Sequence, residues 1–400
     1  MLKNFLTLAG GEIIARGLQA LAMVLLTRTV GMGAISQFGL ASSIAAYGLL
    51  LVMQGFDTIA VRASAQKGID PRRATEEVMG LRVVLAILLA IATGLWAWNR
   101  PADPAGHLLL ILSGIYFSNA LTPRWFFLAE LRSTPLAVAG AISQLCFLAG
   151  VLAVRTAGEI SYAAWAQVAG EAAAAAYLWM AAKRPRLRLN TAFSRWLLAE
   201  SWPVTLSLMM GTALYNFDLI ALGALGRRVE IGPYLSSYRC IAVFSPLLGA
   251  LQNSIFPRFA ASWPDFEAIR RKVDLLAVVT SSLLVLASLA LFLFASPILR
   301  LLYGPDIGQS ATLLRILVWV LPIQGFRAVL RQALLAFRGQ RTDARVVMVG
   351  LLTNICLDLT LIPRMGAAGC AVSTLAAESV FLAGTWVGWK GRRNTLLHVQ

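Results

Sequence analysis

Apolar residues along this chain fall into twelve continuous runs separated by short polar segments. The runs cover residues 5–27, 38–56, 80–98, 107–128, 136–154, 161–182, 201–224, 235–257, 273–296, 311–334, 345–362 and 367–389. A helix of about 20 apolar residues crosses a hydrocarbon core of ~30 Å. Because the runs are continuous and do not alternate with a period of two, they favour a helical bundle over a β-barrel. The pattern predicts an all-α integral membrane protein with about 12 transmembrane helices.

The composition supports the same class. Hydrophobic residues make up 58% of the chain, charged residues make up 14%, and the mean hydropathy is +0.72. A soluble globular chain has about 25% charged residues. The sequence is therefore typical of a protein that is solvated mainly by lipid.

The distribution of basic residues predicts the orientation of the chain. Its formal net charge is +16, which in a soluble protein would suggest a nucleic-acid partner. With the N-terminus inside, the cytoplasmic segments hold 21 Lys and Arg residues and the opposite loops hold 7. The positive-inside rule therefore places both termini in the cytoplasm, and it explains the charge without a nucleic-acid partner.

The remaining seven basic residues are all arginines that lie within the apolar runs. An ionisable side chain at bilayer depth costs about 2.5–3.5 kcal/mol, so such residues usually face a water-filled cavity, a partner or a ligand. Asp218 lies in the seventh run and Arg239 in the eighth. Arg82, near the start of the third run, is expected to snorkel to the interface.

The other candidate arginines each allow two interpretations. Arg16 lies four residues after Glu12, so the two form either a local ion pair or a pair that lines a cavity. Arg124 follows a proline and either snorkels or faces the lumen. Arg327 and Arg331 share one helix face and repel, which favours a bound anion unless Arg331 lies at the interface.

An internal repeat divides the chain into two halves. A shift of 207 residues pairs Glu171 with Glu378, each near the centre of an Ala-containing run. The same shift pairs Arg124 with Arg331, Trp179 with Trp386, and Lys183 with Lys390. Both halves then share one orientation in the membrane. The repeat predicts two pseudo-symmetric six-helix lobes, residues 1–190 with a basic cytoplasmic linker at the end and residues 191–400 beginning with an interfacial helix.

Motifs for catalysis or cofactor binding are missing from the sequence. Its two histidines, His107 and His398, form no H-E-x-x-H pair, and no P-loop or dinucleotide fingerprint is present. The chain is therefore expected not to be an enzyme, and neither catalytic residues nor a metal site nor a cofactor is predicted. Short interspan loops also disfavour a membrane-embedded glycan polymerase or ligase.

Two segments carry a family resemblance. DLIALGALGRRVEIGPYLSSYR (218–239) has an Asp, an apolar run, a Gly-x-Tyr and a closing Tyr-Arg, and NICLDLTLIPRMGAAGCAVSTLAAE (354–378) has an Asn, a Leu-Ile-Pro, paired glycines and a closing Glu. These segments resemble the polysaccharide-transport, or O-antigen-flippase, branch of the multidrug/oligosaccharidyl-lipid/polysaccharide (MOP) superfamily, which also holds multidrug and toxin exporters. Asp358, near the outer end of the eleventh run, stands where that branch more often has Asn.

The resemblance implies a function. It implies a flippase of the bacterial inner membrane that moves an undecaprenyl-pyrophosphate-linked oligosaccharide repeat unit across the bilayer by alternating access, for O-antigen, capsule or exopolysaccharide synthesis. A polysaccharide polymerase and glycosyltransferases would then be partners, besides membrane lipids. Coupling to a H⁺ or Na⁺ gradient is expected. An ion-coupled multidrug exporter is the alternative, which the seven intraspan arginines disfavour because cationic drugs favour an acidic or apolar cavity.

The charged residues can be assigned to roles on this basis. Arginine binds phosphate bidentately and keeps its charge when desolvated. The predicted cationic substrate cavity consists of Arg16, Arg124, Arg239, Arg327 and Arg331. The residues predicted to balance charge or to couple an ion are Glu12, Glu171, Asp218 and Glu378.

Overall fold

A computed structural model describes residues 2–57, 59–60, 70–130, 132–260, 266–337 and 339–397. Within these residues the regular structure is helical and no strand occurs. The described α-helices are α1 (Leu2–Met53), α2 (Pro71–Trp98), α3 (Pro104–Leu112), α4 (Gly114–Ala120), α5 (Arg124–Ala129), α6 (Ser133–Ala153), α7 (Ile160–Ala181), α8 (Thr191–Ala224), α9 (Ile231–Ala242), α10 (Ser245–Ala260), α11 (Phe266–Leu293), α12 (Ala295–Tyr303), α13 (Ser310–Leu317), α14 (Val320–Ala336), α15 (Gln340–Met365) and α16 (Ala367–Leu397).

Each predicted apolar run corresponds to one helix or to a broken helix. The first two runs form α1, and they are separated at Gly31, whose φ of 77° and ψ of 172° are not helical. Eight helical segments in the described part of the chain are long and apolar enough to cross a membrane: Ile14–Met53, Arg72–Trp98, Pro104–Phe127, Thr134–Ala153, Ile269–Leu293, Ser310–Ala336, Gln340–Met365 and Ala367–Gly391. The predicted all-α, multi-pass membrane fold is confirmed.

A proline accounts for the break between α13 and α14. The predicted run 311–334 divides into α13 and α14 around Val318, four residues before Pro322. A proline clashes with the carbonyl four residues earlier and donates no hydrogen bond to it. Ser288 Oγ of α11 donates to the Val318 carbonyl at 2.7 Å, and Ser281 Oγ donates to the Pro322 carbonyl at 3.0 Å. The Val318 carbonyl, which receives no hydrogen bond from Pro322, thus accepts one from the Leu321 N–H at 3.1 Å and one from Ser288, and it stays paired in a lipid environment.

The chain forms two compact units, Met1–Asn216 and Phe217–Gln400. The division falls inside α8, so the lobe boundary at residues 190/191 stays a prediction. In the first unit, a buried cluster includes Phe56, Val78, Trp125 and Leu197. In the second unit, a buried cluster packs α10, α11, α14 and α16 together through residues that include Ile255, Val273, Phe337 and Trp389.

Large apolar side chains cover the outside of α11. Leu275, Leu283, Leu286 and Leu293 are each more than 60% exposed. Exposure of so many leucines on one helix would be unfavourable in water, at about 25 cal/mol for each Å². A surface of this kind is compatible with contact with lipid tails.

Arg82 differs from the expectation that it snorkels. Its side chain is fully buried, and Nη2 lies 2.7 Å from Asp57 Oδ1. The guanidinium also lies 5.9 Å from the centroid of the Phe56 ring. An ion pair and an aromatic face compensate for burial of the charge. The snorkelling prediction was wrong because the run pattern could not reveal a partner 25 residues earlier in the chain.

Candidate functional site

Glu171 in α7 interacts with neutral side chains. Ser143 Oγ of α6 donates to Glu171 Oε1 at 2.9 Å, and Asn119 Nδ2 of α4 lies 3.5 Å from Oε2. The carboxyl borders a cavity of about 180 Å³ that Gln167 and Ser42 also line. Among the described residues, no cation is paired with Glu171. Replacing this carboxyl by a neutral amide would therefore break no ion pair with a described residue.

Glu378 in α16, the repeat counterpart of Glu171, is held by a cation. Arg327 Nε lies 3.3 Å from Glu378 Oε2, and Gln324 Nε2 donates to Oε1 at 2.8 Å. The Arg327 guanidinium also lies 4.7 Å from the centroid of the Phe381 ring, which is a cation–π distance. The two acids that the repeat aligns thus occupy different electrostatic environments.

Arg331 is paired with a second acid. Its Nε and Nη2 donate to the two carboxylate oxygens of Asp343, at 2.8 and 2.9 Å. Bidentate pairs of this type are among the strong hydrogen-bonded ion pairs. Arg327 and Arg331 therefore each have an acid of their own, which offsets the predicted repulsion without a bound anion. Contact of either arginine with a substrate stays a prediction.

Asp218 belongs to a buried cluster of oxygen-bearing side chains in the second unit. Tyr234 OH and Thr374 Oγ1 donate to Asp218 Oδ2, the latter at 3.1 Å. Asp358 of α15 is fully buried and accepts a hydrogen bond from Ser373 Oγ at its Oδ1. The two carboxyl groups are close neighbours. No donor from the described residues reaches Asp218 Oδ1 or Asp358 Oδ2.

The composition of this cluster suits a small cation or a proton. Two adjacent buried carboxylates repel each other, and a positive charge between them relieves the repulsion. Asn354 also adjoins Asp218, and its buried Oδ1 has no donor within the described part of the chain. Carboxylate and carbonyl oxygens are ligands that hard cations prefer. We call Asp218, Asp358, Asn354, Tyr234 and Thr374 the carboxylate cluster.

Arg239 in α9 is half-buried and has no acidic partner among the described residues. Tyr303 of α12 lies beside its guanidinium, and Nη1 is buried without an acceptor in the same described part. Arg16 in α1 and Arg124 at the start of α5 are exposed. The side chain of Glu12 lies outside the described residues, so the predicted pair with Arg16 stays a prediction.

Several residues of these clusters were not among the predicted site residues. Asp358 was expected only near the outer end of its run, yet seven residues of α15 follow it and its side chain is fully buried. Asn354 and Asp358 are four residues apart, and so are Cys370 and Thr374, so each pair shares a helix face. That spacing is a signal that the sequence contains. Only the helix packing, however, brings both faces to Asp218.

The first 263 residues match the family model described as polysaccharide biosynthesis protein. The chain belongs to this family. Residues 245–397 match the model described as lipid II flippase MurJ. The two matches together cover nearly the whole chain, which confirms the resemblance drawn from residues 218–239 and 354–378.

Curated relatives and solved structures support the assignment of fold. The chain is 22% identical over 195 residues to the probable low-salt glycan biosynthesis flippase Agl15 of Haloferax volcanii, a match that covers 48% of this chain. The matches to curated relatives span only 35–38% of those proteins' own length. Lipid II flippase MurJ in an inward closed conformation superposes with a TM-score of 0.77 at 14% identity, covering 95% of this chain and 86% of that one. An inward-facing multidrug resistance MATE transporter of the MOP superfamily gives a TM-score of 0.73 at 12% identity, covering 95% and 94%. The fold is that of MOP-superfamily transporters.

Proposed function

We propose that this protein flips a lipid-linked oligosaccharide across a membrane by alternating access. The observation that carries the proposal is the match of residues 1–263 to the polysaccharide biosynthesis family together with that of residues 245–397 to the lipid II flippase model. The curated relative Agl15 is itself described as a probable flippase of glycan biosynthesis. Rocking of repeat-related lobes is the usual mechanism of transporters built from internal repeats.

The chemistry of the substrate explains why charged residues are kept inside the spans. A polyprenyl-linked sugar has a hydrophilic head that cannot enter hydrocarbon without compensation. If the link is a pyrophosphate, an arginine can bind it bidentately. Arg239 is the first candidate, because its guanidinium touches no carboxylate in the described part of the chain and Nη1 has no acceptor there. Arg327 and Arg331 already hold acids and would have to exchange partners.

Substitution of Arg239 tests this role. Arg239→Gln should reduce export of the lipid-linked unit about tenfold or more, since hydrogen bonds to charged groups contribute about 1.5–3 kcal/mol. Arg239→Lys keeps the charge but loses the bidentate geometry, so it should be intermediate. Arg300→Gln is the matched control, because Arg300 is an exposed arginine of α12 near Tyr303. The measurement is transfer of a lipid-linked oligosaccharide in proteoliposomes, normalised to inserted protein. Wild-type transfer by Arg239→Gln would contradict the assignment.

The carboxylate cluster is the proposed site of ion coupling. A H⁺ or a Na⁺ held between Asp218 and Asp358 would neutralise the pair, and its release would restore the repulsion. A change of this kind can bias one packing of the second unit over another, because a ligand shifts an equilibrium by its differential affinity for the two states. The absence of described donors at Asp218 Oδ1 and Asp358 Oδ2 supports this role.

Gradient experiments separate the two ions. Transport into proteoliposomes is measured with a Na⁺ gradient at equal pH, and then with a pH gradient in Na⁺-free buffer. Asp218→Asn and Asp358→Asn should each remove the dependence on the effective gradient. Asp274→Asn, at a carboxylate of α11 that is 57% exposed, is the control and should leave that dependence intact. Persistence of gradient dependence in the Asp218→Asn/Asp358→Asn double variant would refute the coupling role.

A multidrug exporter is the second candidate, because the MATE transporter fold covers nearly the whole chain. An export-competent protein of that kind should lower the toxicity of cationic dyes when it is overproduced. The flippase proposal expects no such protection. It also expects no turnover of glycan bonds by the purified protein, because the proposed role is transport and not catalysis.

The proposal includes a cellular context. The protein would lie in the inner membrane with both termini in the cytoplasm, as the distribution of Lys and Arg predicts. Glycosyltransferases that assemble the lipid-linked unit would act before it, and a polymerase would act after it. Accumulation of unpolymerised lipid-linked units on the cytoplasmic leaflet in cells without this protein would support the order.

A further inference from the structure

An apolar groove lies on the first unit between α4 and α7. It has a volume of about 830 Å³, and apolar residues such as Phe117, Leu121 and Ala176 line most of it. Phe117 and Leu121 are each more than a third exposed, so the groove opens to the outside of the unit. At one end the groove is bordered by Trp179, Arg184 and Arg186.

The segment that closes this end is fixed in place. Residues 183–188, which we call the strap, follow α7. Trp179 Nε1 donates to the Pro185 carbonyl at 3.0 Å. Glu76 of α2 accepts from the Arg186 backbone N–H at 3.0 Å and pairs with Arg188 Nε at 2.9 Å. The strap therefore has a defined path across the end of the groove.

Two arginines of the strap remain available. Glu76 is occupied by Arg188, and no carboxylate in the described part of the chain pairs with the side chain of Arg184 or Arg186. Both side chains are exposed. The groove thus combines an apolar channel with two cationic groups at one end, and the distribution of Lys and Arg predicts that this end is cytoplasmic.

The second unit repeats the arrangement. A groove of about 430 Å³ is lined by Ser379, Leu382, Ala383 and Trp386 of α16, with Phe326 of α14. The shift of 207 residues maps the α7 lining residues of the first groove onto these four α16 residues: Ala172 onto Ser379, Ala175 onto Leu382, Ala176 onto Ala383 and Trp179 onto Trp386. Lys390 Nζ lies 3.6 Å from the centroid of the Trp386 ring.

We propose that each groove binds one anionic phospholipid of the cytoplasmic leaflet, with an acyl chain along the apolar lining and the phosphate beside the basic residues. Basic pockets between transmembrane helices on the cytoplasmic side suit anionic head groups, and tryptophan and lysine anchor at this depth of a bilayer. A zwitterionic lipid would offer the same chains without net charge. The strap groove, with two arginines and the larger volume, is the tighter site.

The test uses the full-length purified protein, delipidated and titrated with phosphatidylglycerol or phosphatidylcholine in micelles, with bound lipids counted by native mass spectrometry. The wild type should bind two phosphatidylglycerol molecules, one in each groove, and should bind phosphatidylcholine more weakly. Arg184→Gln/Arg186→Gln should weaken the tighter site about 30-fold, because each basic residue near an anionic head group contributes about fivefold. Lys390→Gln should weaken only the other site. Arg195→Gln, an exposed arginine of α8, is the charge control and should change neither site.

A second variant tests the apolar part independently of charge. Ala176→Phe fills the strap groove and should displace its lipid, whereas Ala149→Phe, at an exposed position of α6, should not. The proposal is overturned if the wild type binds the two lipids equally or if the double arginine variant keeps its phosphatidylglycerol. It is also overturned if a polyprenyl phosphate fills the groove while phosphatidylglycerol does not, because the occupant would then be a transport substrate.

Discussion

The two acids that the repeat aligns should respond differently to the same substitution. Glu378→Gln leaves the Arg327 guanidinium, 18% exposed, without its carboxylate. Removing one partner of a fully buried ion pair costs about 3–5 kcal/mol. Because this pair is partly exposed and solvent screens it, we expect Glu378→Gln to lower the free energy of unfolding by about 2–3 kcal/mol. Glu171→Gln disturbs only hydrogen bonds with Ser143 and Asn119, and an interhelical hydrogen bond in a membrane protein averages about 0.6 kcal/mol.

Unfolding of the purified protein in mixed micelles measures this difference. Glu378→Gln should unfold at distinctly lower denaturant than Glu171→Gln. Adding Arg327→Gln to Glu378→Gln should recover part of the loss, because the uncompensated cation is then gone, and the double-mutant cycle isolates the pair. In transport assays, Glu171→Gln should insert normally yet block export if this acid exchanges protons. If the two Gln variants lose the same stability, the Arg327–Glu378 ion pair does not distinguish the two acids. If the effects of Glu378→Gln and Arg327→Gln on stability simply add, the two side chains do not interact.

Three further outcomes are expected. A reporter fused at Gly158 should read periplasmic, because the Lys and Arg distribution places that turn outside; a cytoplasmic signal would overturn the topology. Gly80→Ala should displace the strap and lower thermal stability, because a Cβ at Gly80 would lie 2.0 Å from the Arg188 carbonyl oxygen; unchanged proteolysis of the strap would contradict this. Glu230→Ala should destabilise the protein by about 1 kcal/mol, since Glu230 Oε2 accepts from the Ala367 N–H at 2.6 Å at the start of α16, while Glu230→Gln should retain more stability.

The helical fold was predictable because its signal is local. An apolar run long enough to span a bilayer has few alternatives to a helix, so each predicted run reappears as a helix or a broken helix. The break between α13 and α14 was also predictable, because Pro322 disturbs the backbone four residues before it. The role of the basic strap as a linker between two lobes stays a prediction, because the two compact units divide between Asn216 and Phe217.

The partners of the buried charges were not predictable in the same way. Arg82 finds Asp57, and Arg331 finds Asp343, through the packing of helices that the run pattern treats as independent. Sequence separation does not reveal which faces meet. The pattern could therefore identify charges that need compensation, but it could not distinguish a charge compensated by the protein from one that remains available, such as Arg239.

The serine hydroxyls beside α13 and α14 have a mechanical consequence. Ser288 and Ser281 lie on one continuous helix, α11, and hold the Val318 and Pro322 carbonyls on either side of the break. A bend at this point can change its angle while both carbonyls keep a hydroxyl partner, because a serine hydroxyl rotates to suit its acceptor. Both carbonyls are thus tied to the same continuous helix, so a change of angle between α13 and α14 would be accompanied by rotation of these two hydroxyls.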